Sequence, residues 1–290
     1  MLKRVCAWLP VILLLSALFA FPAQVPDPQS SVIASSARLK LGQAGSQKEL
    51  DDYNRLHAEV DPAVKKVLID EFAEKYPQSG LLAYAYQDGV YLGRQVHNVE
   101  TMEEYGEKSL DLWPDNYSLL TELGSAYVQR DRVYLAEVHA AKALELAGAA
   151  DRPSHMTEQQ WAEFTRTLRS TNLTTLGFVH LRRAQTRLDP QARKDEADSA
   201  IEAFRRALEI TPVDDYVYYG LGFSYAILND YPNAESNLAK AVAVGGVVMA
   251  SARSLLEEIY KSRHNQSTEG LDQVIAHARA EIGSRPPSEV

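Results

Sequence analysis

From Gln47 onward, apolar residues recur every three or four positions, and period-two alternation is almost absent. That spacing predicts helices rather than strands. The helical stretches run for roughly 12–15 residues and are separated by short breakers: Asp61-Pro62, Pro77-Gln78-Ser79-Gly80, Pro114-Asp115-Asn116, Pro212-Val213-Asp214 and Gly245-Gly246. Such punctuation predicts stacked helix pairs. Lys48 to Ala58 pairs with Pro62 to Lys75, Leu81 to Arg94 with Val99 to Leu112, and Val248 to Ser262 with Glu269 to Ile282. Thr157-x2-Gln160 has the form of a helix-opening capping box. Trp161, Phe164, Leu168 and Leu176 then predict one unusually long helix from about Thr157 to Arg187.

Two of the hairpins repeat each other. Leu120-x2-Leu123-Gly124-x2-Tyr127 returns as Tyr218-x2-Leu221-Gly222-x2-Tyr225, with Pro114 and Pro212 ten residues before the glycine. Ala136 and Ala234 follow it by twelve, and Ala143 and Ala241 come seven residues later. A third copy starts at Leu173-x2-Leu176-Gly177, with His180 in place of the tyrosine. Its second helix, Ala200-x3-Phe204-x2-Ala207, arrives 11 residues late, so Arg182 to Asp198 holds an insertion, either a longer turn or extended helices.

This pattern resembles the tetratricopeptide repeat (TPR): a large apolar residue, Leu-Gly, Tyr, then Ala and Pro over about 34 residues. The resemblance is strong in the two regular copies and only structural at the ends. It implies an all-α, right-handed α-solenoid of about six antiparallel helix pairs. In such a stack Gly124, Gly177, Gly222, Ala136 and Ala234 sit where paired helices approach, while Leu123, Tyr127, Leu221 and Tyr225 fill the wedge between neighbours. Degenerate terminal copies suit a solenoid that must cap its exposed ends.

The amino terminus reads differently. Lys3 and Arg4 precede an apolar run from Trp8 to Phe21, with no charge until Asp27. This is the layout of a secretory signal cleaved between about Ala20 and Gln24; the alternative is an uncleaved anchor, although the run is short for a full span. The domain reading is therefore 1–23 signal or anchor, 24–46 linker, 47–283 helical repeat and 284–290 tail. The protein is expected outside the cytoplasm, periplasmic or secreted, or else anchored with the repeats outside. Export adds no disulfides, since Cys6 is the one cysteine.

Composition narrows the partner. Of the 290 residues 30 are basic and 39 acidic, a formal charge of −9, which argues against nucleic acid, whose phosphates demand an excess of Lys and Arg. Enzyme motifs fail individually. Gly222-Phe223-Ser224-Tyr225-Ala226 loosely matches a nucleophile elbow, but it coincides with the repeat signature and lacks a strand-to-helix frame. The seven histidines show no paired metal-binding spacing, and no cofactor or metal is expected. Glu103, Glu104 and Glu107 read as a solvated helix face, Glu235 as an outer-face position, and Arg182, Arg183, Arg187, Arg193 and Lys194 as a basic patch. Ser288-Glu289-Val290 weakly resembles a PDZ ligand.

What remains is a surface. The resemblance implies ligand contacts from first helices at six and three residues before the glycine and one, four and five after it. Around Gly222 these are Tyr216, Tyr219, Phe223, Ala226 and Ile227; around Gly177, Thr171, Thr174, Phe178, Leu181 and Arg182; around Gly124, Ser118, Thr121, Ser125, Val128 and Gln129. The expected groove residues are Tyr216, Tyr219, Phe223, Ile227, Phe178, Arg182 and Gln129, taking a protein or peptide segment. The alternatives are a structural subunit of an envelope complex, or an enzyme with its site in the irregular 147–198 region.

Overall fold

The computed structural model describes residues 40–283, and every regular element among them is a helix. The expectations for Cys6, the signal or anchor, most of the linker and the tail lie outside the described residues. In chain order the helices are α1 Gln47–Ala58, α2 Pro62–Lys75, α3 Leu82–Gln95, α4 Val99–Leu112, α5 Tyr117–Gln129, α6 Val133–Ala149, α7 Glu158–Thr186, α8 Pro190–Ile210, α9 Asp215–Ile227, α10 Tyr231–Val244, α11 Met249–Arg263 and α12 Leu271–Gly283. None is long and apolar enough to cross a membrane.

Local chemistry accounts for the boundaries. Asp61, Asn98, Asn116, Asp189, Asp214 and Asp230 cap α2, α4, α5, α8, α9 and α10 with side-chain oxygens, satisfying amides that have no partner within the helix. Thr157 and Gln160 form the reciprocal box ahead of α7, at 3.2 and 2.8 Å. The insertion resolves as extended helices: α7 runs 29 residues and α8 runs 21. Residues 147–198 are thus mostly helix.

The described residues form two compact units, 40–179 and 180–283, whose boundary falls inside α7. In the first, α2 packs on α3, α3 on α4, α4 on α5 and α5 on α6. Its core joins Tyr53, Leu56, Ile69, Phe72, Tyr105, Leu119, Leu123 and Tyr127. Trp161 and Phe164, early in α7, meet Tyr117 with ring centroids 6.4 and 6.1 Å away. In the second, α8 packs on α9, α9 on α10, and α10 on both α11 and α12, around Phe204, Val217, Tyr218, Leu238 and Leu256.

One register organises three hairpins. A Cβ placed on Gly124 would lie 3.4 Å from Ala140 N and 3.5 Å from Ala136 O. On Gly222 it would lie 2.5 Å from Leu238 Cγ, and on Gly89 it would strike the Tyr105 ring. Each glycine therefore faces the residue sixteen positions on. The α3–α4 pair follows the register through Gly89 although it lacks the Leu-Gly signature. For Gly222 the nearest atoms belong to Leu238 rather than to Ala234, the partner the repeat pattern suggests. Ala136 and Ala234 are nonetheless fully buried, as are Leu123 and Tyr127; Gly124, Gly177, Leu221, Gly222 and Tyr225 are buried too.

The same three hairpins share a turn. α3, α5 and α9 are followed by His97, Asp131 and Asn229 at φ 53, 58 and 60°. The next amides, of Asn98, Arg132 and Asp230, donate back five residues to Gly93, Tyr127 and Tyr225 carbonyls at 2.8, 2.9 and 2.9 Å. This is a left-handed C-terminal cap of the Schellman type, built without glycine.

Candidate functional site

The first helices of the two units present different side chains. On α9 the interior is Val217, Tyr218, Leu221 and Tyr225, all buried, while Tyr216, Tyr219, Phe223, Ala226 and Ile227 are half-buried. The five positions drawn from the repeat resemblance are thus the partly open stripe of this helix. Tyr219 and Phe223 meet edge to face with centroids 6.1 Å apart. Burial and the nearby Asp215 and Asp214 push the Tyr216 hydroxyl up to about 12. Burial also raises that of Tyr219, with the Arg182 charge close enough to oppose the shift. An aromatic stripe beside a guanidinium can hold an apolar side chain and a carboxylate together.

The basic patch is internally engaged, Arg182 included, whose Nη1 donates to Gln185 Oε1 at 3.3 Å. Arg187 Nη2 lies 3.4 Å from Glu196, Lys194 Nζ 2.5 Å from Asp198, and Arg193 donates to the Arg187 carbonyl at 2.9 Å. His180 Nδ1 lies 2.8 Å from Glu196. Among the described residues no group of three His, Asp or Glu converges to hold a metal ion.

In the 40–179 unit several positions suggested by the resemblance depart from a groove. Thr121 and Val128 on α5, and Thr171 and Thr174 on α7, are buried, as is Leu181 on the stretch of α7 in the other unit. Asn172, fully buried, donates to Thr121 Oγ1 at 2.8 Å and to the Leu168 carbonyl at 2.9 Å. Ser125 and Thr175 hydroxyls lie 3.2 Å apart. These polar side chains spend their hydrogen bonds between α5 and α7. Phe178, Gln129 and Ser118 stay half-buried.

Two further expectations need correction. Glu103 is not on a solvated face: it is 7% exposed and lies 3.0 Å from Arg132 and 3.7 Å from Arg130. Burial raises its carboxyl pKa although both arginines oppose the shift. Glu104 and Glu107 are exposed, but Glu107 accepts from the Tyr127 hydroxyl. Glu235, which the repeat pattern places on an outer face of α10, is 9% exposed and pairs with Arg263 at 2.6 Å.

No sequence motif marks a polar cluster that α1, α2, α3 and α5 build together. Asp88 is buried, with His57 Nδ1 3.0 Å and Lys65 Nζ 3.8 Å from its carboxylate. Next to Asp88 on α3, Gln87 Nε2 donates to the Tyr91 hydroxyl at 3.0 Å, and the Arg94 guanidinium sits 5.1 Å from the Tyr91 ring centre. Arg94 Nη1 lies 3.1 Å from Glu122 Oε1, an ion pair that leaves this buried oxygen without a hydrogen bond. The Glu122 carboxyl pKa is raised, because burial outweighs Arg94. The signal was positional: Gln87 and Glu122 each stand two residues before a register glycine, a correspondence visible only once Gly89 is recognised as one.

No family model matches this chain, and no curated protein matches it.

Proposed function

We propose that the protein is an exported, tetratricopeptide-like, right-handed helical solenoid. In this reading it is not an enzyme: it binds a polypeptide segment of a partner along its first helices. The shared sixteen-residue register and the shared left-handed turn in three hairpins support the repeat reading. Lys3, Arg4 and the apolar run to Phe21 support export, and amino-terminal sequencing of the mature protein tests it: recovery of Met1 in a membrane fraction establishes the anchor instead.

The observation that carries binding is the α9 stripe. Tyr216, Tyr219, Phe223 and Ile227 stay half-open on a helix whose other face is sealed, and partly exposed aromatics in a row are what interface hot spots are made of. Arg182 beside Tyr219 suits a ligand carboxylate. Phe178 and Gln129 are the corresponding half-buried positions of the other unit.

The test begins with crosslinking pull-down of the intact protein from an envelope fraction. The partner's affinity is then measured for Tyr216→Ala, Arg182→Ala and the exposed control Glu202→Ala. Truncating an aromatic hot spot costs about 2 kcal/mol or more, about thirtyfold in affinity. Loss with both stripe variants at unchanged thermal stability supports the reading. Equal binding by all three rejects this surface.

A further inference from the structure

We propose that Glu122, linked to Gln87 through Tyr91, forms a subsite for a basic side chain, Lys or Arg, of the bound polypeptide. The proposal deepens the peptide-binding reading and rests on it, but it concerns the 40–179 unit alone.

Three observations converge. First, Glu122 Oε1 is a buried carboxylate oxygen that has a charge near it and no hydrogen bond. A carboxylate in that state lacks a donor, and supplying one that is itself charged is worth about twice a neutral hydrogen bond. Second, the Gln87 side chain is 6% exposed and its Oε1 is buried without any donor. Tyr91 links the two groups: its hydroxyl takes the Gln87 amide, and it lies near enough to Glu122 to feel that charge. Two acceptors without hydrogen-bond donors around one tyrosine ring suit a group with several N–H donors and no acceptor, which describes a guanidinium or an ammonium.

Third, the surrounding charge draws such a group in. Residues 40–179 carry 22 acidic and 14 basic side chains, a surplus that raises the local concentration of cationic segments. Glu122 meets solvent over 18% of its side chain while Oε1 itself is covered, so an entering cation must displace that cover. Arg94 is the competitor. It neutralises Glu122 in the free protein without hydrogen-bonding the buried oxygen, while its stem and guanidinium lie against Tyr91, 32% exposed. An incoming cation takes over Glu122 and leaves Arg94 to solvent. Asp88 does not compete for it, being held by His57 and Lys65.

Small cations test the subsite without any partner, so failure here is separable from failure at α9. The full chain, labelled for NMR on glutamate carboxyls and backbone amides, is titrated at constant ionic strength with n-butylguanidinium, n-butylammonium and tetramethylammonium. Butylguanidinium is expected to shift the Glu122 carboxyl and the Tyr91 amide saturably and to lower the Glu122 midpoint. Tetramethylammonium, a cation without donors, is expected to do neither. Glu122→Gln, nearly isosteric, should weaken the Tyr91 response about tenfold or more, with its folding checked by thermal melting. Arg94→Gln should strengthen it by removing the competitor, and Glu104→Gln should leave it unchanged. An unmoved Glu122 carboxyl, an equal response to tetramethylammonium, or an undiminished response in Glu122→Gln overturns the proposal. Tyr216→Ala, expected to bind these cations normally, keeps the two surfaces apart.

Discussion

Glu122 and Gly220 occupy the same place, two residues before the register glycine of α5 and of α9, and the two units treat that place in opposite ways. In the 180–283 unit the missing side chain on Gly220 admits the Phe204 ring, and a Cβ there would strike it. In the 40–179 unit the knob comes from the first helix instead: Leu123 inserts against Gly106 of α4, whose added Cβ would lie 2.6 Å from Leu123 Cδ2. Freed from admitting an aromatic ring, the equivalent position carries a carboxylate. The helix-pair register therefore dictates which backbones approach. It does not dictate which side chains the inner helices display, and that freedom lets one unit show aromatics and the other a carboxylate.

The largest expected effect breaks the wedge on each side. Leu123→Ala and Leu221→Ala both delete buried leucines, at a cost of about 2–5 kcal/mol each. Denaturant unfolding of the full chain measures it. If only Leu123→Ala destabilises, the two wedges are not equivalent.

A sharper contrast comes from the glycines. Gly222→Ala must push Leu238, so it should cost roughly 1–3 kcal/mol. Ala234→Leu overpacks another fully buried position of the same hairpin, at a similar cost. At Gly124 the nearest neighbour sits at an ordinary 3.4 Å. There Gly124→Ala should be neutral or stabilise by up to about 1 kcal/mol through helix propensity. Equal destabilisation of both glycine variants would contradict the geometry.

Tyr127 and Tyr225 sharpen the comparison at smaller scale. The Tyr127 hydroxyl donates to Glu107, whereas that of Tyr225 accepts from Arg205 at 2.6 Å. Tyr→Phe at either site should cost about 0.5–1.5 kcal/mol, the net range of an intramolecular hydrogen bond. The smallest effect is a pH signature of Glu122. Because its folded pKa lies above the unfolded value, ionisation costs native stability as pH rises through that interval. Glu122→Gln should therefore raise the melting temperature at neutral pH, with the gain vanishing in acid below the unfolded carboxylate range.

Much of this was legible because repeat packing leaves small residues at fixed spacings. Gly124, Gly222 and their alanines stand out in the sequence, and prolines and cap residues bracket the helices. The α3–α4 pair was legible as helices but not as a repeat, because Tyr105 sits opposite Gly89 where a small or aliphatic residue is usual. Glu103 and Glu235 read as surface residues because periodicity sees one helix at a time. Their arginine partners, Arg132 and Arg263, lie 29 and 28 residues on. Thr171 and Thr174 were misplaced for a related reason: at mid-α7 polar residues are buried on bonds to carbonyls four residues back, at 3.0 and 2.9 Å.

The sixteen-residue spacing also has a kinetic meaning. Every glycine-to-partner contact closes a loop short enough to form on the scale of about 10–100 ns per attempt, and such local contacts give a low contact order and rapid folding. Each hairpin can begin to assemble as soon as its second helix is available, without waiting for a distant strand or a long loop. If the chain is exported unfolded, as proposed above, it would regain its hairpins in the order they emerge.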